Sequence, residues 1–242
     1  MAGRDDVKAL VFDVFGTVVD WRGSCIRELT SFGSARGING VNWDVFADEW
    51  RGLYQPSMEE VRSGRRKFEI LDTLHRESLM TLVERHKLPS LATHEVDHLV
   101  TIWHRLNPWP DVVEALYRLK RTHIIGTLSN GNVGLLTRMA RHAGLPWDVI
   151  LGAETAGAYK PQRQAYLATA AALNLEPSQC MLVAAHNDDL AAAAETGYRT
   201  AFVARPTEYG PNQVKDKTAD RAWDIVTDSF HGVADALGCP RY

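Results

Sequence analysis

Residues 7–12 set the pattern that organises the chain: an apolar run, Val-Lys-Ala-Leu-Val-Phe, that stops at Asp13. A run this short, rich in branched side chains, predicts a strand buried on both faces. Similar runs at 123–128, 149–151, 180–184 and 200–204 predict four more strands. Between them the apolar spacing becomes helical. One helix is expected to start near Pro110, a suitable first-turn residue, with Asp111 beside it to meet the helix dipole. Others are expected over 132–143, ending at Gly144, over the Ala-rich 163–173, and over 189–196, ending at Gly197. Strands alternating with helices predict right-handed βαβ units, and hence an α/β fold with a doubly wound, mainly parallel sheet.

The stretch 23–107 breaks this alternation. It has no convincing strand and carries amphipathic helical patterns around 43–58, 67–86 and 93–106. Trp43, Trp50 and Trp103 sit among them and read as a core stripe rather than a ligand cage. The expected organisation is a core of residues 1–22 and 108–242 with a helical cap, 23–107, inserted after the first strand. Such a cap would hang over the carboxyl end of that strand, where open parallel sheets bind ligands.

Composition narrows the class. The chain has 242 residues, 45% hydrophobic and 24% charged, which suits a globular domain with a smaller insert and excludes disorder. Cys25, Cys180 and Cys239 lack CxxC spacing and an even count, so reduced thiols are expected. The balance of 27 basic against 30 acidic residues offers no electrostatic footprint for nucleic acid and no polybasic arm for a membrane. No apolar run approaches the roughly eighteen residues of a membrane span, and the amino-terminal residues lack a signal-peptide pattern. A cytoplasmic protein is expected.

Candidate chemistry lies at four strand ends. Asp13 closes the first strand and is followed by Val14-Phe15-Gly16-Thr17, which places a carboxylate beside a glycine turn in the ligand crevice. Ser129-Asn130-Gly131 follows the second sheet strand with a hydroxyl, an amide and turn N–H groups suited to an anion. Lys160, fixed before Pro161, can hold a neighbouring carboxylate ionised. His186-Asn187-Asp188-Asp189 concentrates polar groups before an Ala-rich helix. Helix and turn capping explains each cluster taken singly, but not four clusters at four strand ends.

In this order the clusters resemble the haloacid dehalogenase superfamily, and within it the 2-haloacid dehalogenases that act on small halogenated carboxylic acids. The resemblance spans nearly the whole chain: FDVFGT at 12–17, the helical insert, LSNG at 128–131, YKP at 159–161 and the acidic cluster ending at Asp189. Phosphatases of the superfamily carry a second aspartate where Phe15 stands, to protonate an alkoxide; a departing halide needs no proton. They also place Mg²⁺ on carboxylates that include the position of Ala185. No metal and no cofactor are therefore expected.

The resemblance implies roles. Asp13 would attack the halogen-bearing carbon to form an aspartyl ester, oriented by Thr17. Arg51 and Asn130 would hold the halide, although Arg51 taken alone is an ordinary solvated helix residue. Phe15, Ser129 and Tyr166 would contact substrate, Ser129 together with turn amides binding its carboxylate; Tyr166 could equally pack on its helix. Lys160 would pair with Asp13 and Asp189, and Asp189 would help activate the hydrolytic water. His186 stands where some relatives have Asn. With Asn187 it would orient water, or act as a base, or replace an amide hydrogen bond. The implied partners are a short 2-haloalkanoic acid, water and a second copy of the chain in a homodimer. The implied reaction is hydrolysis to the 2-hydroxy acid with inversion. A phosphatase and a non-catalytic binding protein on the same fold are the alternatives.

Overall fold

The computed structural model describes residues 6–241. Residues 1–5, which bear on the amino-terminal expectation, and residue 242 lie outside that range.

Six strands form one sheet: β1 (Ala9–Phe12), β4 (Ile124–Ser129), β5 (Val149–Gly152), β6 (Cys180–Ala184), β7 (Arg199–Val203) and β8 (Ile225–Thr227). Their order is β5-β4-β1-β6-β7-β8, and every adjacent pair is parallel. Alternate residues of each strand feed opposite layers. Leu10 and Phe12 of β1 pack with α5 (Val112–Lys120) and α10 (Phe230–Ala236), while Ala9 and Val11 pack with α8 (Arg163–Ala172) and α9 (Asn187–Glu195). The sheet is therefore covered on both faces, the doubly wound arrangement expected.

The chain passes from β1 to one side of the sheet, through β4 and β5, and then to the other, through β6, β7 and β8. The order reverses at β1, so a crevice opens at its carboxyl end between β4 and β6.

After β1 the chain forms a two-residue antiparallel ribbon, β2 (Val19–Asp20) with β3 (Asn107–Pro108). Between them run α1 (Trp21–Ala35), α2 (Trp43–Arg62), α3 (Leu71–Arg85), α4 (Thr93–Val100) and a 3₁₀ turn, Thr101–His104. Asp20 caps α1 by accepting from Gly23 N at 2.8 Å, and Asn42 caps α2 by accepting from Asp44 and Val45 N. Trp50 and Trp103 are buried in the interior of this block, and Trp43 packs half-buried against Phe46. Phe15, just beyond β1, meets Trp103 and Tyr54 edge-on at 6.1 and 6.3 Å. One apolar cluster thus runs from the sheet face through the strand end into the helices.

Several boundaries differ from expectation. The helix after Pro110 starts at Val112 with Asp111 at its amino-terminal cap position, but the Asp111 side chain makes no capping hydrogen bond. Its carboxylate instead receives the Arg205 fork at 2.9 and 3.2 Å and Phe230 N at 2.8 Å, three charged or backbone donors that outweigh a helix-end interaction. The remaining elements are α6 (Val133–Ala143), ended by Gly144 at φ 68°, and the single turn α7 (Ala153–Ala156). The three cysteines are free and buried. Among the described residues no helix is long and apolar enough to cross a membrane.

Candidate active site

A cavity of about 550 Å³ opens at the carboxyl end of β1, lined by Asp13, Arg51, Tyr54, Asn130, Lys160, His186, Asp189 and Tyr209 among others. Residues just beyond the ends of parallel strands line it: Asp13 after β1, Asn130 after β4 and His186 after β6.

Asp13 is 7% exposed and has three donors around its carboxylate. Lys160 Nζ donates to Oδ1 at 2.9 Å, Thr17 Oγ to Oδ2 at 2.6 Å, and His186 Nδ1 stands 3.1 Å from Oδ2. Burial by itself would raise the Asp13 pKa, but Lys160 and His186 outweigh it and hold the carboxyl well below its ordinary range. Thr17 is fixed in turn by accepting from Ala185 N at 2.9 Å.

Lys160 Nζ lies between two carboxylates, 2.9 Å from Asp13 Oδ1 and 2.5 Å from Asp189 Oδ2. Burial disfavours its charge, but the two aspartates more than compensate, and it stays an ammonium. Asn130 positions it: the Asn130 Oδ1 accepts from Lys160 N at 2.8 Å. Asp189 also accepts from Tyr166 Oη at 2.7 Å. Its pKa is raised, first by burial and then by the Asp13 charge, against the opposing pull of Lys160.

The donor set does not fit a divalent cation. Lys160 already supplies the positive charge between Asp13 and Asp189, Ala185 offers no side-chain oxygen, and Phe15 is buried among aromatic rings. No group of three or more His, Cys, Asp or Glu among the described residues is arranged to hold a metal.

Arg51 comes from α2 and reaches the cavity across an aromatic cradle. Its guanidinium carbon is 4.1 Å from the Tyr54 ring centre, 5.4 Å from Trp21 and 5.9 Å from Phe15. Nη1 is buried without a hydrogen-bond partner among the described residues. The structure thus brings Asp13, Thr17, Arg51, Asn130, Lys160, Asp189 and His186 together.

Four expected residues stand behind the wall instead of in it. Phe15 lies under Arg51, and Tyr166 is buried with its hydroxyl on Asp189. Ser129 is buried, its hydroxyl oxygen accepting from Gly131 N at 3.1 Å, so it shapes the turn. Asn187 is directed away from the cavity, to Asp216, Thr218 O and Trp223 Nε1. Glu208 and Tyr209, by contrast, were not foreseen. They sit on the loop after β7, a fifth strand end whose polar residues obey the rule that identified the other four.

The family model for haloacid dehalogenase-like hydrolases matches residues 7–197. Among curated proteins, (S)-2-haloacid dehalogenase 4A of Burkholderia cepacia is 26% identical over 230 residues, 92% of this chain and 96% of the relative. Among solved structures, a defluorinating L-2-haloacid dehalogenase is 45% identical, with a TM-score of 0.94 and 96% of each chain covered. A second L-2-haloacid dehalogenase is 42% identical, with a TM-score of 0.91 over 96% of this chain and 99% of that one.

Proposed function

From the premise that this chain belongs to the haloacid dehalogenase-like hydrolases and acts on carbon–halogen bonds, we propose that it converts short 2-haloalkanoic acids to 2-hydroxy acids through an ester on Asp13. One observation carries this reading: a buried, fully ionised carboxylate shares a cavity with a guanidinium that has an unpartnered buried N–H. The first group is a nucleophile and the second a seat for a small anion.

Asp13 Oδ1 bears one donor against two on Oδ2, so Oδ1 keeps the freer lone pair and attacks the halogen-bearing carbon from the side opposite the halide. The centre inverts. The halide leaves toward Arg51 and toward Asn130 Nδ2, the amide end left over once Oδ1 is committed to Lys160 N. With Gly131 N–H committed to Ser129 Oγ, the Asn130 N–H of the same turn is our proposal for the substrate carboxylate.

Ester hydrolysis follows. Asp189, with its raised pKa, takes a proton from water as the water oxygen bonds to Asp13 Cγ. Lys160, in contact with both Oδ1 and Asp189, hands a proton to the departing alkoxide and recovers one from Asp189. The helices between β2 and β3 act as the cap that supplies Arg51. A phosphatase reading has no acid at Phe15 and no metal seat beside Asp13.

Halide release from (S)-2-chloropropanoate, set beside p-nitrophenyl phosphate cleavage, tests the proposal. The expected result is chloride and (R)-lactate with no phosphatase activity. Phosphate release without halide release would overturn it. Fluoroacetate belongs in the same panel, because a relative sharing 45% identity is a defluorinating enzyme.

A further inference from the structure

The mechanism above leaves Glu208 unused, although it is 1% exposed and lies against the site. Trp21 Nε1 donates to its Oε1 at 3.1 Å, and His186 Nε2 stands 2.9 Å from Oε2 and 3.1 Å from Oε1. Gly16 makes the room: it sits at φ 89°, and a Cβ there would lie 2.0 Å from Oε1. The loop itself is clamped. Arg205 donates to Thr17 O at 3.0 Å and forks onto Asp111, and Gln213 ties Arg205 O to Tyr209 N.

His186 therefore lies between two carboxylates, with Nδ1 on Asp13 Oδ2 and Nε2 on Glu208. Ionised carboxylates only accept hydrogen bonds, so an imidazole held by both carries a proton on each nitrogen. Such a ring has no lone pair with which to activate water. Asp188 and Tyr209 also face it, and Lys160 and Arg51 complete the charges around Asp13 and Glu208.

We propose that Glu208 is a positioning residue that keeps His186 an imidazolium, so that His186 Nδ1–H and Thr17 Oγ–H form the oxyanion site for hydrolysis of the Asp13 ester. This rests on the covalent reading given above. Once Oδ1 is alkylated, Asp13 is neutral, and Glu208 is the carboxylate that still holds the ring protonated. The water oxygen bonds to Cγ, one water proton passes to Asp189, and the carbonyl electron pair moves onto Oδ2, where both donors already point. As the pair returns, the Cγ–Oδ1 bond breaks and the alkoxide takes its proton from Lys160. The second water proton leaves Asp13 for solvent, which restores the carboxylate. Burial opposes the His186 charge, but Glu208 and Asp13 outweigh it and hold its pKa well above the ordinary histidine range.

Rapid-quench kinetics with (S)-2-chloropropanoate, scoring halide and lactate separately from about pH 6 to about pH 9, tests the assignment. In Glu208→Gln the burst of halide should persist, while ester accumulates and lactate formation slows about 10- to 100-fold at neutral pH. That rate should fall further as pH rises, because without Glu208 the ring loses its proton. Glu208→Asp should recover part of it. Lactate formation that rises with pH would make His186 a base and overturn the proposal, as would native rates and pH profile in the variant, or equal slowing of both steps. In the native protein, ¹⁵N resonances of His186 should show both nitrogens protonated at about pH 8, and a neutral ring would overturn the proposal whether or not the variant folds. Halide release by the native protein with no ester on Asp13 would instead remove the covalent reading, and the proposal with it.

Discussion

Three donors converge on the two oxygens of Asp13, which makes its substitutions informative. Asp13→Asn keeps the size of the side chain but removes the nucleophile. Turnover should fall at least about 10⁴-fold, with the circular dichroism spectrum retained. Arg51→Ala removes the proposed halide donor and leaves its aromatic cradle in place. The carbon–halogen step should slow about 10²–10³-fold for chloro- and bromo-substrates alike. Unchanged kcat and kcat/KM for every halide would remove Arg51 from the halide site. Asp13 and Asn130 were legible as residues because each directly follows a strand, and Lys160 and Asp189 because each lies in the polar segment beyond one, Lys160 after β5 and α7 and Asp189 in the first turn of α9. Arg51 was not legible from spacing, since nothing local separates a helix arginine buried against Tyr54 from a solvated one.

Among the elements, the strands were the most readable part of the chain, because fully buried parallel strands are almost uniformly apolar. Edge strand β8 was missed: it has three residues, and Val226 is exposed. Helix α1 was also missed, since Gly23, Ser24, Ser31, Gly33 and Ser34 break its apolar stripe. Gly33 is there for packing, as a Cβ would lie 2.4 Å from the Trp43 ring. The turn after β1 meets the loop after β7 at Gly16, so Gly16→Ala should destabilise by about 1–3 kcal/mol from backbone strain and further by displacing Glu208. Thermal denaturation together with lactate formation checks both effects.

Within the helices after β2, His75 on α3 stacks on Trp103 at 4.4 Å, with neither ring nitrogen hydrogen-bonded among the described residues. Burial pushes its pKa down to about 3, with Asp72 pulling it up and Arg51 and His104 adding to the depression. The folded state thus binds no proton there over a range in which the unfolded state does. Stability from this group is complete above about pH 6.5 and declines by up to ~1.4 kcal/mol per pH unit toward about pH 3. In urea titrations His75→Phe should lose correspondingly less stability on acidification than the native protein. An identical loss would show that His75 is protonated in the fold.

For the whole molecule, the reversal of strand order at β1 decides where chemistry can occur, and the block entered through β2 and left through β3 faces that point. The alternation of runs announced this architecture. It did not announce that distant loops would meet over one carboxylate: the loop that carries Glu208 is tied down by Arg205, which spans from Thr17 O to Asp111. Pairings of that range leave no periodic trace. With Lys160 supplying the charge between Asp13 and Asp189, dehalogenation should survive dialysis against EDTA undiminished. Loss on chelation, with recovery on adding Mg²⁺, would revive the phosphatase reading.

The covalent role of Asp13 is the centre of the account, and the path of oxygen tests it directly. If Asp13 attacks carbon, the hydroxyl of the product comes from its carboxylate, and water replaces the lost oxygen by attack at Cγ. A single turnover in ¹⁸O-water, with enzyme in excess over (S)-2-chloropropanoate, should give unlabelled (R)-lactate and leave one ¹⁸O in the peptide that carries Asp13. Labelled lactate in the first turnover, with none in that peptide, would show that water attacks the substrate itself and would contradict the ester.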